Sequence, residues 1–140
     1  MIRVKDRQIT SVEPIVWLPV TEDEVYEGGE ALTMGATATK CAASERPTHL
    51  CVGPATGKGV PAIPVLATTR FEADYDEVPT VGAEVTLGAD ATTVTATTGG
   101  AFTVTHMNEE EGLAYGYFRC WRTEILSDET GDETGDETGE

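Results

Sequence analysis

Apolar side chains in the second half of the chain recur at every second residue, and this spacing constrains the fold more than any other feature. The pairs fall between turn residues over residues 84–121, as Val85/Leu87, Val94/Ala96, Phe102/Val104 and Tyr115/Tyr117. Alternation of this kind is typical of strands that bury one face. No window carries the i, i+3, i+4, i+7 apolar pattern and capped start of an amphipathic helix. The sequence therefore predicts an all-β fold that contains an antiparallel meander.

The turn near residues 98–100 sets the predicted register of that meander. Apolar residues of paired strands share one face, and a slip of one residue sends them to opposite faces. A three-residue loop keeps them together, because it pairs Ala96 with Phe102 and Val94 with Val104. A two-residue turn would instead pair them with threonines. We therefore predict a three-residue loop, which has a glycine for the left-handed position that such loops use.

Residues 1–21 differ in composition from the rest of the chain. They are rich in apolar residues, but Pro14 and Pro19 interrupt regular strand pairing and bias their predecessors toward extended backbone. Arg3, Lys5 and Arg7 also outnumber the local acids, which leaves a balance of about +1 in an otherwise acidic chain. We predict an extended N-terminal arm whose backbone is paired by another chain.

The C-terminal segment, residues 127–140, repeats Asp-Glu-Thr-Gly three times and ends on Glu140. Its repeats and last residue carry seven negative charges and no apolar side chain, so it cannot form a core. We predict a disordered acidic tail. Residues 22–126 are then the β-rich body, a length that can bury a core of its own.

Charge and cysteine content narrow the environment and the partners. Twenty-five acidic residues against nine Lys and Arg give a formal charge of −16, which disfavours a nucleic-acid partner. No stretch is long and apolar enough for a membrane helix, and the N-terminus lacks the apolar core of a signal peptide. Three cysteines, Cys41, Cys51 and Cys120, cannot all pair within the chain, so reduced and mostly buried thiols are expected.

Patterns for catalysis or metal binding are weak. A nucleophile would need His49 or His106 as its base, and neither lies in a recognisable catalytic motif. A zinc site that joins these histidines to Cys51 and Cys120 is conceivable, but no close Cys-x-x-Cys or His-x-x-x-His pair supports it. The glycine-rich residues 53–59 lack the spacing of a phosphate loop. We therefore expect no enzyme, no metal and no cofactor.

Three stretches carry a family resemblance. The chain contains Tyr26-Glu27-Gly28-Gly29-Glu30-Ala31-Leu32, then Pro47-Thr48-His49-Leu50 within residues 40–52, then Val81-Gly82-Ala83-Glu84-Val85-Thr86-Leu87 at the start of the meander. In layout and composition, roughly residues 22–121 resemble the capsid decoration, or cement, proteins of tailed bacteriophages. The resemblance implies a small antiparallel β-barrel or β-tulip that sits as a trimer on the outside of an expanded capsid and reaches the shell through an N-terminal arm.

The expected function is therefore structural: a decoration protein that binds the outer surface of a phage capsid and stabilises the shell. Its expected partners are the major capsid protein and two further copies of itself, with no nucleic acid and no membrane. It would be made in the host cytoplasm and reside on the virion exterior. The expected capsid contacts lie in the arm and are Arg3, Lys5, Arg7, Ile9, Ile15, Trp17 and Leu18.

An alternative from a different class is a surface-binding module of a phage or bacterium. It would recognise carbohydrate or a host component through Tyr75, Tyr115, Tyr117 and the acidic loops. Aromatic side chains suit such a role because they offer a large apolar face together with a polar tip.

Overall fold

A computed structural model of the chain describes residues 1–7 and 14–119. These residues are all-β, as the alternating pattern predicts, and contain no helix. The tail, residues 127–140, lies outside the described residues, so its predicted disorder stays a prediction. The described strands are β1 Ile2–Arg7, β2 Val16–Leu18, β3 Ala31–Met34, β4 Ala38–Lys40, β5 His49–Cys51, β6 Val60–Pro64, β7 Thr69–Tyr75, β8 Glu84–Leu87, β9 Thr93–Thr98, β10 Phe102–Asn108 and β11 Leu113–Phe118.

Five of the strands form a closed barrel, in the order β7-β11-β10-β8-β9. The ring closes where β9 returns to β7 as a parallel pair, with Asp74 opposite Thr93 and Tyr75 opposite Val94. The amide of Asp76 extends this closure by donating to the carbonyl of Val94 at 2.9 Å. Closure joins the two outer strands of the ring over two residue pairs, which shortens the edge on which strands of other chains could add.

Three phenylalanines fill the barrel. Phe71, Phe102 and Phe118 are fully buried. Phe118 packs edge-to-face on Phe71 at 5.4 Å between ring centroids and on Phe102 at 5.2 Å. Such pairs add roughly 0.5–1.5 kcal/mol each beyond the burial of apolar area. The interior of the barrel is therefore filled by packed side chains, as expected for a small β-barrel.

The order of strands around the barrel corrects the predicted meander. β8 lies between β9 and β10 and pairs with both, with Val85 opposite Thr98 on one side and Phe102 on the other. The predicted three-residue hairpin, with Val94 opposite Val104, is therefore wrong. Period two identified which residues share the buried face, but it carries no information on which strands are neighbours.

Gly100 makes this crossing possible. The chain passes from one edge of β8 to the other within a few residues, and a Cβ on Gly100 would lie 2.0 Å from the carbonyl oxygen of Val85. No side chain fits there without displacing the backbone of β8. The glycine pair that suggested a hairpin turn marks a close backbone approach instead.

The first strand belongs to the body. β1 pairs antiparallel with β7, with Ile2 opposite Ala73 and Val4 opposite Phe71. Ile2 is fully buried and Val4 packs against the same core. The described parts of residues 1–21 are therefore not a free arm in this structure: β1 extends the barrel sheet, and β2 joins the second sheet. Pro14 and Pro19 flank β2 without interrupting it, so they limit the length of this strand and do not prevent its pairing.

The second sheet is a curled half-barrel of five strands, in the order β2-β6-β5-β3-β4. Its own core is built from smaller side chains around Tyr26, whose hydroxyl donates to the carbonyl of Ala38 at 2.7 Å and accepts from the amide of Thr21 at 2.9 Å. β2 and β4 are the edges of this sheet. The edge at β2 carries the exposed Trp17.

The two sheets share one core. The main apolar cluster combines the barrel residues with side chains from the half-barrel, among them Ala31, Leu50 and Ile63. Arg46 is buried beside this contact and donates to backbone carbonyls of Pro47, Val65 and Arg119. It thereby connects the half-barrel to the end of β11.

Candidate functional site

Two of the predicted capsid contacts lie exposed on the half-barrel side of the molecule. Ile15 is 54% exposed and Trp17 is 43% exposed. Trp17 sits on β2 opposite Pro61, and the ammonium of Lys58 lies 5.6 Å from the centroid of its ring. Exposed aromatic and β-branched side chains on an edge strand are a favourable basis for a protein contact.

The other predicted capsid contacts differ in how exposed they are. Leu18 is only 6% exposed and belongs to the core of the half-barrel, so it is not available to a partner in this structure. Arg3 is half-buried and Lys5 is exposed, both on β1. Arg7 is placed through its backbone opposite Thr69. Ile9 lies outside the described residues.

An apolar groove of about 390 Å³ runs between β1 and the half-barrel. Ile15 and Arg3 line it together with Met1 and Val52. We call this groove, with the exposed Trp17 beside it, the β2 surface. Its lining is mostly apolar and it opens to solvent, which is the composition of a partner-binding groove more than of a polar active site.

The floor of the groove depends on the Gly28-Gly29 turn, which precedes β3. The carbonyl of Gly29 accepts from the amide of Ile2 at 3.2 Å, and its amide donates to the carbonyl of Cys51 at 2.8 Å. Gly29 has a φ of 96°, a conformation that side chains disfavour. Met1 packs directly over it. The turn therefore ties β1 to β5 and shapes the groove between them.

Charges near the groove are paired. The guanidinium of Arg3 donates through Nε to Glu72 Oε2 at 2.7 Å. The amino group of Met1 lies 2.6 Å from Asp74 Oδ2, in an exposed pair. Exposed ion pairs of this kind contribute little stability, so their main effect is to orient the side chains at the rim.

The thiols and His49 are arranged for packing. Burial raises the pKa of the Cys41 thiol to about 11 and raises the pKa of Cys51, whose Sγ donates to the carbonyl of Gly53 at 3.0 Å. Burial lowers the pKa of His49. Thiols with raised pKa values are poor nucleophiles because little thiolate forms.

The conceivable zinc set is not assembled in the described part of the chain. His49 and Cys51 lie on β5 of the half-barrel, whereas His106 lies on β10 of the barrel. Cys120 falls outside the described residues. Among residues 1–7 and 14–119, no group of three or more His, Cys, Asp or Glu side chains is placed to hold a metal ion.

The remaining sequence motifs take structural roles. Residues 53–59 form a tight turn in which Thr56 pairs with Gly59 through reciprocal backbone hydrogen bonds of 2.9 and 3.0 Å. Over the described residues, no helix has the length and apolar character required to cross a membrane.

The tyrosines of the alternative function do not share one surface. On β7 the inward residues are Thr69, Phe71 and Ala73, and Tyr75 continues this row and packs against the barrel core. Tyr115 and Tyr117 lie half-buried on the outer face of β11, whose inward residues are Ala114, Gly116 and Phe118. The sequence pattern suggested that the two tyrosines were core residues. The small Ala114 and Gly116 between them were the signal for the opposite assignment.

Comparison with protein-family models gives no match, and comparison with curated proteins gives none either. The function is therefore argued from the surfaces described above.

Proposed function

We propose that the protein is a structural capsid decoration protein that binds the outer surface of a tailed-phage shell. It would be made in the host cytoplasm, reside on the virion exterior and perform no catalysis. The family resemblance motivates the proposal. The observation that carries it is the β2 surface, where Ile15 and Trp17 are exposed at an edge strand and Ile15 also lines the apolar groove between β1 and the half-barrel.

The proposed occupant of this surface is an extended segment of the major capsid protein. β2 is an edge strand of the half-barrel, and an edge strand accepts a further strand through main-chain hydrogen bonds. Ile15 and Trp17 lie at that edge and supply apolar contacts. The groove behind Ile15 then gives a pocket for one side chain of the added segment. Main-chain pairing provides affinity, and the pocket provides specificity.

The same proposal includes self-association as a trimer, which the resemblance implies. Three linked copies raise the effective concentration of each β2 surface at the shell and strengthen binding by roughly 10²–10⁴ without new contacts per copy. Sedimentation velocity of the purified protein measures this directly. A monomer at all concentrations, free and on the shell, would contradict the trimer.

The test is co-sedimentation with expanded, undecorated capsids of the parent phage. Ile15→Asp places a charge on the apolar surface and should weaken binding by at least about tenfold. Val81→Asp is the matched control, because Val81 has the same 54% exposure and lies in the connection between β7 and β8. Equal binding by both variants would exclude the β2 surface, and no sedimentation of the parent protein would exclude decoration.

Point variants are preferable to deletion of residues 1–20. Deletion removes β1 and β2 together, and with them the buried side chains of Ile2 and Leu18. The truncated body would lose core packing from both sheets, so a loss of capsid binding would not report on the surface alone.

A further inference from the structure

The outer face of the barrel carries a second surface on the four neighbouring strands β1, β7, β11 and β10. We call it the cationic shelf and define it by Lys5, Arg70, His106, Tyr115 and Tyr117. Pairing across the sheet places His106 opposite Tyr115, and β7 brings Arg70 beside β11. A cavity of about 420 Å³ lies against this face, a volume within the roughly 300–1,000 Å³ of small-molecule sites.

Two backbone irregularities border the shelf. The register of β1 on β7 shifts between Val4 and Asp6, at Lys5. The register of β10 on β11 shifts between Val104 and His106, at Thr105. Both Lys5 and Thr105 line the cavity. Bulges re-aim side chains and occur often beside binding sites, so the irregular positions coincide with the residues that face the cavity.

The cations of the shelf are not neutralised by the side chains that the structure describes. Arg3 pairs with Glu72, and Asp6, of which only the backbone is described, lies opposite Arg70 on β1. Among the carboxylates whose side chains the structure describes, none lies within ion-pair distance of Lys5 or Arg70. The guanidinium of Arg70 has one hydrogen bond within the described residues, a long contact of 3.4 Å to the carbonyl of Ala67. Two such cations on one face contrast with a chain whose formal charge is −16.

Aromatic rings hold these cations in place. Arg70 Cζ lies 4.7 Å from the centroid of the Tyr117 ring, and Lys5 Nζ lies 5.4 Å from that of Tyr115. The His106 ring stacks on Tyr115 at 5.5 Å with 17° between the planes. Cations positioned over ring faces lose less freedom when an anion binds, so the shelf is organised before its ligand arrives.

We propose that the cationic shelf binds an acidic sugar, with its carboxylate on Lys5 and Arg70 and the apolar face of its ring against the exposed ring of His106. Arg and Lys are the donors that recognise carboxylates, and aromatic rings cover the C–H face of a sugar by burying apolar surface. This site goes beyond capsid decoration and does not depend on it.

Charge favours a compact ligand over a polyanion. The positive field of two cations dominates only within about a Debye length, roughly 8 Å at physiological salt. A longer anionic chain would extend beyond these two cations and be repelled, because the protein as a whole carries a formal charge of −16. A single acidic sugar unit is small enough to stay within the local positive field.

Amide NMR titrations with glucuronic acid, glucose and inorganic phosphate test the proposal. Glucuronic acid should shift signals of β10 and β11 saturably. Glucose, which lacks the carboxylate, and phosphate, which lacks the ring, should each bind at least about tenfold more weakly. Phosphate binding as tight as that of glucuronic acid would overturn the sugar assignment, and so would the absence of any shift with glucuronic acid.

Variants locate the site. Arg70→Gln should weaken glucuronic acid binding by about tenfold. Lys58→Gln is the matched control, since Lys58 also lies over an aromatic ring, 5.6 Å from Trp17, but on the half-barrel. Thermal unfolding of each variant confirms that it is folded. Unchanged glucuronic acid binding by Arg70→Gln would overturn the proposal.

The same variant separates the shelf from the proposed decoration role. Lys5 is an expected capsid contact as well as a shelf residue, so its substitution would not distinguish the two. Arg70→Gln should lose glucuronic acid binding while sedimenting with capsids as the parent does. Loss of capsid binding without any sugar binding by the parent would assign the shelf to the shell instead.

Discussion

The barrel and the half-barrel fill their apolar cores with different kinds of side chain. The barrel closes on itself and is filled by Phe71, Phe102 and Phe118. The half-barrel does not close by strand pairing: β2 and β4 are its edges, and the amide of Ala38 donates across them to the carbonyl of Pro19 at 2.9 Å. Its own core holds Ala, Val, Leu and Cys around a single tyrosine. Large aromatic residues suit a closed space, whereas an open sheet depends on hydrogen bonds at its rim. Both sheets keep edge strands, β1 beside the barrel and β2 and β4 on the half-barrel, and the exposed Trp17 lies on β2.

The largest expected effect comes from emptying the barrel. Phe102→Ala should lower the free energy of unfolding by about 4 kcal/mol, because it removes a fully buried ring and its edge-to-face contact with Phe118. Val60→Ala, at a fully buried position of the half-barrel, should cost about 2 kcal/mol. Urea unfolding measures both. Equal costs would mean that the two cores do not differ in the way described.

The crossing over β8 is the next strongest test of the barrel. Gly100→Ala should cost about 3 kcal/mol, since its Cβ would overlap the backbone of Val85. Gly99→Ala is the neighbouring control: it has open space around it and a φ of 96°, so only backbone strain of about 1–2 kcal/mol is expected. If Gly99→Ala proves the more damaging, β9 and β10 do not cross β8 as described.

The half-barrel should respond to the loss of one hydroxyl. Tyr26→Phe leaves the ring in place but removes the hydrogen bonds to Ala38 and Thr21, at an expected cost of about 1–2 kcal/mol. Tyr115→Phe on the barrel surface should change stability by less than about 0.5 kcal/mol, because within the described residues that hydroxyl has only a 3.5 Å contact from Asn108 Nδ2. Thermal unfolding compares the pair. A neutral Tyr26→Phe would show that the rim of the open sheet does not depend on this hydroxyl.

The smallest expected effect concerns Glu30, which is buried at the start of β3 with Oε1 unpaired and Oε2 3.7 Å from Lys40 Nζ. Burial raises the pKa of this carboxyl above its usual value of 4.5. The folded state therefore holds the proton more tightly than the unfolded state, and the stability that this proton confers is lost as pH rises through the folded pKa.

Glu30→Gln removes that titration. The melting temperature of the parent should fall relative to that of the variant over a pH range that begins near the usual carboxyl pKa of 4.5 and extends above it. Melting curves of the two proteins across this range give the difference directly. A difference that does not change with pH, or that changes in the opposite direction, would contradict the raised pKa of this buried carboxyl.

The sequence predicted the fold class and much of the buried face, because both depend on local alternation. Val85, Leu87, Val94, Phe102 and Val104 are all buried, as their spacing indicates. It did not predict strand neighbours, since inserting β8 between β9 and β10 changes no residue's face. Nor did it predict that β1 joins β7, because that pairing depends on residues far apart in the chain.

The candidate surfaces were predictable to different degrees. Trp17 and Ile15 were identified from their proline-flanked context, and both are exposed. The other wall of the groove, with Gly28 and Val52, depends on a turn meeting β1, which no local pattern reveals. The cationic shelf joins four strands, and its cations are separated by more than sixty positions in sequence, so only the fold brings them together.

The pairing of β1 with β7 has a consequence for how the chain acquires its shape. Arg3 precedes its partner Glu72 by 69 residues, so β1 has no strand to pair with until more than half of the chain has been made. Contacts this distant form slowly, because the intervening loop must first be closed. During synthesis the apolar Ile2 and Val4 stay uncovered for the longest time, and docking of β1 is a late step.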